Sequence, residues 1–329
     1  SNNISLIGAG RGSVLRKSAE GSYNKIIFIS NAKSILISQI MIDGNKSNYS
    51  GTPQAGIFFS GITDSKINNI WIENMTSSAI VFVSASNNNI ISGSSFQNNE
   101  GVGCIEVGGS NNNIIKDNII NNNASIRAGI YVTTSANNII SGNMITSNDA
   151  EDLCRGIYLI NSSNNLISNN NITYSGDEGI EIKNSSSGNI VHANNINFNG
   201  RSGAGRGIQL FSGTSANIIS GNAIGNNANE GISIGETCPN NSIWGNAIVE
   251  NGTTGTVSGI SVGGNSSLIS SNYIYKSQGS SQYGIDISNS NNYLVPNYID
   301  GSMINDKVND GGTNTKYTGK DKITLEPVT

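Results

Sequence analysis

The sequence predicts an all-β parallel solenoid in which each coil contributes three short strands. Asn and Ile together make up about a third of the 329 residues, a bias that indicates internal repetition. Apolar residues occur in short clusters rich in Ile and Val, separated by Asn, Ser and Gly, which is typical of short strands between tight bends. The chain shows no sustained helical spacing of apolar residues, so we expect almost no helix.

A Gly-Ile-x-apolar element sets the length of the repeat. It begins at Gly56, Gly129, Gly156, Gly179, Gly207, Gly231, Gly259 and Gly284, with variants at Ala79 and Cys104. The spacing is about 25 residues, within the range of solenoid repeats. Ten or more such coils, stacked about 4.8 Å apart like hydrogen-bonded strands, would form a rod at least ~48 Å long.

A second element, such as Asn138-Ile139-Ile140-Ser141-Gly142-Asn143, follows the first after a polar bend. Its final Asn recurs in the other coils, and we expect these residues to stack as one column at a bend. Asn tolerates left-handed backbone conformations, and its amide can hydrogen-bond to the Asn above and below. The predicted column contains Asn118, Asn143, Asn170, Asn194, Asn222, Asn246, Asn272 and Asn297.

These units resemble the repeats of the right-handed parallel β-helix superfamily, the pectin-lyase-like fold of polysaccharide lyases, polygalacturonases and phage tailspikes. The opening residues 4–15 and the segment Ile42-Asp43-Gly44-Asn45 are similar to the first coils of pectate-lyase-superfamily and phage-tail members. The resemblance covers roughly residues 1–300 and implies a right-handed, single-stranded β-helix. We expect this domain to occupy residues 1–299, followed by a C-terminal cap or arm at residues 300–329.

Composition excludes several classes of protein. The net charge of −4 leaves no basic footprint for nucleic acid, and no apolar run approaches the ~18 residues of a membrane span. Cys104, Cys154 and Cys238 are odd in number and lack metal-ligand spacing, so we expect buried free thiols. His192 is alone of its kind and is expected to be a surface strand residue. We expect no cofactor, except that Asp149 with Glu151 or Asp152 could hold Ca²⁺ through their oxygens.

The outward position of the Gly-Ile-x-apolar strand is the first candidate for a binding surface. Over five coils it contains Glu106, Tyr131, Tyr158, Glu181 and Gln209. Aromatic faces can cover sugar C–H surfaces while carboxylates and amides hydrogen-bond hydroxyls, so this column suits a polysaccharide. The alternative is that the two tyrosines only stack as a cross-strand pair on an exposed sheet.

The bends before this strand carry the densest charge in the chain. The residue preceding the repeat Gly reads Arg155, Glu178, Arg206 and Glu230 in four consecutive coils. Stacked one above another, these residues could form an alternating-sign ladder that neutralises itself without a ligand. The alternative is a catalytic or substrate-binding site, in which Arg155 and Glu230 contact substrate and Asp177, Glu178, Glu181 and Arg206 carry the chemistry.

Glycosidic-bond hydrolysis requires two carboxyl groups, which Asp177, Glu178 and Glu181 could supply. Residues 176–183, Gly-Asp-Glu-Gly-Ile-Glu-Ile-Lys, resemble a segment of polygalacturonase-like glycoside hydrolases. That resemblance implies Asp177 and Glu178 as the acid and base. The chain departs from the family at Arg155 and Arg206, where the family has Asp and His. A lyase is the alternative, with the two arginines neutralising a uronate and Tyr158, Lys183 or Arg206 taking the proton.

The sequence therefore predicts an extracellular, cell-surface or virion-borne β-helix that binds a polysaccharide and could cleave it as a hydrolase or lyase. The alternative is a non-catalytic structural or adhesion rod, such as a phage-tail or surface-layer component. Fibrous proteins of this fold are commonly trimeric, so a homo-oligomer is among the expectations.

Overall fold

The computed structural model of the protein describes residues 2–18, 24–48, 55–148, 154–201, 203–253, 257–276, 283–301 and 308–317. Across these residues the chain winds into a parallel β-solenoid with three strands in each coil. The strands form three sheets of 13, 12 and 12 strands, in which every third strand along the chain is a hydrogen-bonded neighbour. This arrangement confirms the predicted all-β parallel β-helix of ten or more coils.

Thirty-seven strands follow one another along the described chain. They are β1 (Ser5–Ile7), β2 (Val14–Arg16), β3 (Lys25–Ser30), β4 (Leu36–Ser38), β5 (Met41–Asp43), β6 (Ala55–Ser60), β7 (Lys66–Asn68), β8 (Trp71–Glu73), β9 (Ile80–Val83), β10 (Ile90–Ser92), β11 (Ser95–Gln97), β12 (Glu100–Gly108), β13 (Ile114–Lys116), β14 (Ile119–Asn121), β15 (Ala124–Thr133), β16 (Ile139–Ser141), β17 (Met144–Thr146), β18 (Arg155–Ile160), β19 (Leu166–Ser168), β20 (Asn171–Thr173), β21 (Ile180–Lys183), β22 (Ile190–His192), β23 (Asn195–Asn197), β24 (Ile208–Phe211), β25 (Ile218–Ser220), β26 (Ala223–Gly225), β27 (Ile232–Ile234), β28 (Ser242–Trp244), β29 (Ala247–Val249), β30 (Ile260–Val262), β31 (Leu268–Ser270), β32 (Tyr273–Lys276), β33 (Ile285–Ile287), β34 (Tyr293–Leu294), β35 (Tyr298–Gly301), β36 (Val308–Asp310) and β37 (Lys316–Tyr317). Sheet 1 contains β1, β4 and every third strand to β37. Sheet 2 runs likewise from β2 to β35, and sheet 3 from β3 to β36.

The last strands lie beyond the predicted end of the solenoid. β36 pairs with β33 and β37 pairs with β34, both in parallel, so the stack continues past residue 299. This final coil has no Gly-Ile-x-apolar element, which is why its sequence did not reveal it. A single 3₁₀ turn, Lys46–Asn48, is the only helix among the described ranges. None of the described segments is a helix long and apolar enough to cross a membrane.

The core is a set of stacked aliphatic columns. In one representative coil, Ile115 of sheet 1, Ile120 of sheet 2 and Ile130 with Val132 of sheet 3 are all fully buried. Because successive coils pair in register, each of these residues packs on its equivalent in the next coil, as Ile130 does on Ile157. The three Cys are buried free thiols, as predicted.

The repeat Gly lies where the backbone passes closest to the core. A Cβ on Gly179 would lie 2.4 Å from Cγ2 of Ile196 and 2.8 Å from the carbonyl oxygen of Gly207. A side chain does not fit there without displacing its neighbours. The Gly-Ile-x-apolar element is therefore a packing requirement of the corner before sheet 3.

The predicted Asn column exists and is buried. The Asn143 Nδ2 donates to Oδ1 of Asn170 (2.9 Å), and the pattern repeats from Asn118 to Asn297. Further ladders of the same kind run from Asn138 to Asn241 and through Asn99, Asn123 and Asn148. The left-handed residue is not the ladder Asn itself but the one before it, for example Gly142 (φ 66°).

Candidate functional site

The outward column of sheet 3 lines up as predicted. Glu106, Tyr131, Tyr158, Glu181 and Gln209 are register partners in five consecutive strands. The centre of this column is not an open platform, however, because Tyr158 is 5% exposed and Glu181 is 2% exposed. The alternation of inward and outward residues along the strand could not predict the burial of Tyr158 and Glu181. Their burial depends on long side chains that reach over the sheet from the preceding bends.

A charged cluster lies over the buried centre of the column. We define it as Arg155, Asp177, Glu178, Glu181, Lys183, Arg206 and Glu230. Arg155 Nη2 lies 2.9 Å from Asp177 Oδ2, and Arg155 Nε lies 2.9 Å from Glu181 Oε2 and 3.3 Å from Glu178 Oε2. One guanidinium therefore contacts three carboxyl groups from the next coil.

The alternating ladder predicted from the bends is present in full. Arg155 pairs with Glu178, Arg206 Nη1 lies 3.4 Å from Glu178 Oε1, and Arg206 Nε lies 2.8 Å from Glu230 Oε2. Lys183 Nζ adds a looser contact, 3.6 Å from Glu181 Oε1. Every member of the charged cluster thus contacts a member of opposite charge.

Glu178 is the most perturbed carboxyl group of the cluster. Burial, followed by the neighbouring Asp177 and Glu181 carboxyl groups, raises the pKa of Glu178 to about 8, although Arg155 acts in the opposite direction. At neutral pH the Glu178 carboxyl therefore carries a proton.

Gln209 extends the network within sheet 3. In the amide orientation that satisfies both neighbours, its nitrogen donates to Glu178 Oε1 (3.1 Å) and its oxygen accepts from Arg206 Nη1 (3.2 Å). Gln209 was predicted to bind substrate, and the structure places it against two predicted catalytic residues. The amide links the column and the charged cluster into one site.

The two tyrosines of the column contact each other with their rings tilted. The ring centroids of Tyr131 and Tyr158 lie 5.5 Å apart at an interplanar angle of 39°, the cross-strand pair weighed above. Arg127 and Arg155 lie over the two rings, at 5.7 and 5.2 Å from the centroids. Burial is the main cause that raises the pKa of Tyr158 to about 12, so its hydroxyl is protonated and is a poor general base.

Glu106 lies at the start of the site, outside the charged cluster. The Ser78 hydroxyl donates to its Oε1, and the Gly103 backbone amide lies 3.4 Å from the same atom. Burial raises the pKa of Glu106 above its usual value, partly offset by these hydrogen bonds. Ser78 and Arg127 were missed by the sequence analysis, which followed only the outward column and the residue before each Gly.

The geometry bears on the hydrolysis hypothesis. Glycosidases place their two carboxyl groups about 5 to 5.5 Å apart for retention, or about 6.5 to 9.5 Å apart for inversion. Asp177 and Glu178 are adjacent in the chain, and both contact the single guanidinium of Arg155. The two carboxyl groups are therefore held together as one group by Arg155.

The described residues offer little for a metal ion. Across the parts of the chain that the structure describes, no group of three or more His, Cys, Asp or Glu could hold one. His192 is on sheet 1, away from the charged cluster, and its Nδ1 lies 3.1 Å from Ser220 Oγ. The residues proposed for Ca²⁺, Asp149, Glu151 and Asp152, lie outside the described residues.

Comparison with solved structures identifies the fold. The A-module of the mannuronan C-5 epimerase AlgE4 from Azotobacter vinelandii superposes with a TM-score of 0.61 at 18% identity, covering 96% of this chain and 83% of that one. A double mutant of the periplasmic alginate epimerase AlgG gives 0.64 at 14% identity, covering 88% and 77%. The tailspike protein of Dettilon gives 0.59 at 16% identity, covering 86% and 62%. Comparison with curated protein sequences gave no match.

A family model matches residues 38–229, more than half of the chain. The family is described as periplasmic copper-binding protein (NosD). The described residues do not fit a copper centre, because copper prefers grouped imidazole, thiolate or thioether ligands. Here the one imidazole is on sheet 1, and the three thiols are buried within the solenoid. By its sequence the chain nevertheless belongs to the NosD family.

Proposed function

We propose that this chain binds a polysaccharide on sheet 3, at the charged cluster and the adjoining tyrosines. One observation carries the proposal. In a chain of which only 12% is charged, five consecutive coils place three cations, four carboxyl groups and two tyrosines in contact on one face. The epimerases named for mannuronan and alginate, and the tailspike, share this fold, which supports a polymeric carbohydrate ligand.

The exposed parts of the cluster define how a polymer would bind. The side chains of Arg155, Arg206 and Lys183 are 20%, 25% and 30% exposed, whereas those of Glu178 and Glu181 are almost fully buried. The cations therefore face solvent and the carboxyls hold them in place. Guanidinium groups fixed in this way present planar pairs of donors that fit carboxylate or hydroxyl oxygens of sugars.

A catalytic step is the finer part of the proposal, and Glu178 is its candidate acid. A carboxyl group that retains its proton near neutral pH can donate it to a leaving oxygen. Tyr158 is a weak candidate for a lyase base because its own pKa is raised. The Arg206 guanidinium also stays protonated, so Lys183 is the remaining candidate base. Release of reducing ends without ultraviolet absorbance of an unsaturated uronate would indicate a hydrolase, and release of reducing ends together with that absorbance would indicate a lyase.

A structural or adhesion rod is the second candidate function. It is favoured by the complete mutual pairing of the charged cluster, since an ion-pair ladder that neutralises itself does not require a ligand. On this alternative the cluster stabilises the middle of the solenoid and sheet 3 binds nothing. The family's description as periplasmic supports a periplasmic or extracellular location for either function.

The test is affinity electrophoresis of the purified chain in gels containing acidic or neutral polysaccharides. Lys183→Ala removes an exposed cation of the cluster, and Lys116→Ala removes one from sheet 1 as the matched control. We expect retardation by at least one polymer, weakened about tenfold in Lys183→Ala and unchanged in Lys116→Ala. Absence of retardation by every polymer would leave the rod as the function.

A further inference from the structure

Two exposed aromatic residues lie in an unusual backbone conformation beside the charged cluster. Tyr174 and Phe198 directly follow β20 and β23 of sheet 2, with φ of 57° and 58°. This left-handed region brings the Cβ of an ordinary residue close to the following carbonyl, and bulky residues adopt it rarely. Each ring is nevertheless 46% exposed, so burial of apolar surface gives little compensation.

Other coils show which residue this corner usually accommodates. At the equivalent position after sheet 2, Asn74, Asn98, Asn122 and Asn226 have φ between 51° and 58°. Asn reaches this conformation readily because its short amide bonds locally. Ser147 and Glu250 occupy the same position in two further coils, at φ of 51° and 55°. Two adjacent coils thus carry an aromatic ring where four other coils carry Asn, and strained residues of this kind concentrate at binding sites.

The two rings form one ordered surface. Their centroids lie 5.4 Å apart and their planes differ by 9°, which corresponds to stacking across neighbouring coils. The rings therefore present a continuous apolar strip at the corner between sheet 2 and sheet 3.

Exposed amides flank this strip on the same two coils. Asn195 Nδ2 donates to Asn171 Oδ1 (2.9 Å), and Asn197 donates to Asn195 Oδ1. These amides lie in β20 and β23, up to three residues before the rings. Aromatic faces combined with outward amides match the alternation of C–H surface and hydroxyl groups on a pyranose ring.

A short bend joins the strip to the coil that carries Asp177 and Glu178. Tyr174 precedes Asp177 by three residues, and the bend that joins them leads directly from the corner to sheet 3. A polymer that contacts the charged cluster and extends around this corner would reach the rings.

We propose that Tyr174 and Phe198 form a second sugar subsite, against which a pyranose unit of the bound polysaccharide packs. This inference rests on the proposed function, and it extends the binding surface from sheet 3 onto the edge of sheet 2. The subsite supplies apolar contact and the charged cluster supplies polar contact to the same chain of sugars.

The test uses the substitution that the repeat itself provides. The double variant Tyr174→Asn, Phe198→Asn restores the residue found in neighbouring coils and is compatible with the backbone, so we expect an unchanged circular dichroism spectrum. The matched control is Tyr273→Asn, Tyr298→Asn. Those rings also stack, at 5.3 Å and 10°, and are 40% and 49% exposed on sheet 2, three and four strands beyond the strand that precedes Phe198.

Dissociation constants are measured for the polymer that retards the wild-type chain and for its purified oligosaccharides. We expect the Tyr174, Phe198 variant to bind about tenfold more weakly, and the control variant to bind like wild type. The subsite would be overturned if the Tyr174, Phe198 variant bound as tightly as wild type, or if both double variants lost affinity equally. Either result would leave the proposed function standing. If the wild type binds no polysaccharide, both the proposed function and the subsite are refuted.

Discussion

The Nε of Arg155 lies 2.9 Å from Oε2 of Glu181 on the neighbouring coil, and Glu181 is almost fully buried. The same guanidinium contacts Asp177 and Glu178. Arg155 is therefore the main cation that compensates the buried carboxyl groups of the site.

Replacing Arg155 with Gln should destabilise the solenoid. The change leaves the Glu181 carboxylate buried without its closest cation, and removing one partner of a buried pair typically costs 3–5 kcal/mol. Because the guanidinium is partly exposed, we expect a loss of about 2 to 4 kcal/mol, measured by urea denaturation. Arg11→Gln is the control, since its pair with Glu73 has a largely exposed guanidinium and should cost under about 1 kcal/mol. Equal losses in the two variants would contradict the assigned role of Arg155.

Asn194→Ala should be destabilising although it removes only one small side chain. Asn194 Oδ1 accepts from the backbone and side-chain amides of Asn170, while its Nδ2 donates to Asn222 Oδ1 and to the Ile167 carbonyl. The substitution leaves these buried groups unsatisfied, at about 1–3 kcal/mol each, and we expect a total loss of about 2 to 4 kcal/mol in urea denaturation.

The matched control for the ladder is Asn195→Ala at the next position. Asn195 is exposed and takes part in two surface hydrogen bonds, donating to Asn171 and accepting from Asn197. Its replacement should change stability by less than about 0.5 kcal/mol. If the two alanine variants unfold at the same urea concentration, the ladder contributes no more than a surface amide does.

The repeat predicted the fold because every coil obeys the same packing rules. An Ile in one coil must lie on an Ile in the next, so the spacing of the Gly-Ile element fixes register, and the outward column from Glu106 to Gln209 followed from it directly. The Asn column was predicted for the same reason. The burial of Tyr158 and Glu181 was not predictable, because it arises from side chains that cross between coils and not from the position of a residue in its strand.

The candidate site was only partly predictable from sequence. The alternating ladder from Arg155 to Glu230 could be found because its charged residues stand out in a repeat that is otherwise mostly uncharged. The corner aromatics were missed because the search for departures followed sheet 3 alone. Aligning the residue after each sheet 2 strand would have found them, since Tyr174 and Phe198 occupy a position that is otherwise largely Asn.

Gly207→Ala should destabilise through overpacking. The added Cβ would lie 2.4 Å from Cγ2 of Ile224 and 2.5 Å from the Gly231 carbonyl oxygen, and neither the core side chain nor the backbone can move away freely. We expect a loss of about 1–3 kcal/mol, read as a lower thermal midpoint. Gly12→Ala is the control, because a Cβ there has no heavy atom within 4 Å, and it should leave the midpoint unchanged. If the thermal midpoint shifted equally in Gly207→Ala and Gly12→Ala, tight packing around Gly207 would not be the cause of the loss.

Stability should fall as the pH rises through the range between 4.5, the ordinary pKa of a glutamate, and about 8, the raised pKa of Glu178. In this window the folded chain holds a proton on Glu178 that the unfolded chain releases, so raising the pH favours unfolding. The contribution is fully retained below about pH 4.5 and fully lost above about pH 8. Glu178→Gln mimics the protonated carboxyl, so the thermal midpoint of this variant should decline less steeply with pH across the same range. The control is Glu100→Gln, at the more exposed Lys46–Glu100 pair. Its thermal midpoint should depend on pH as that of the wild type does. If the slope of Glu178→Gln equalled that of wild type, Glu178 would be ionised throughout this range, and its assignment as the candidate acid would have to be abandoned.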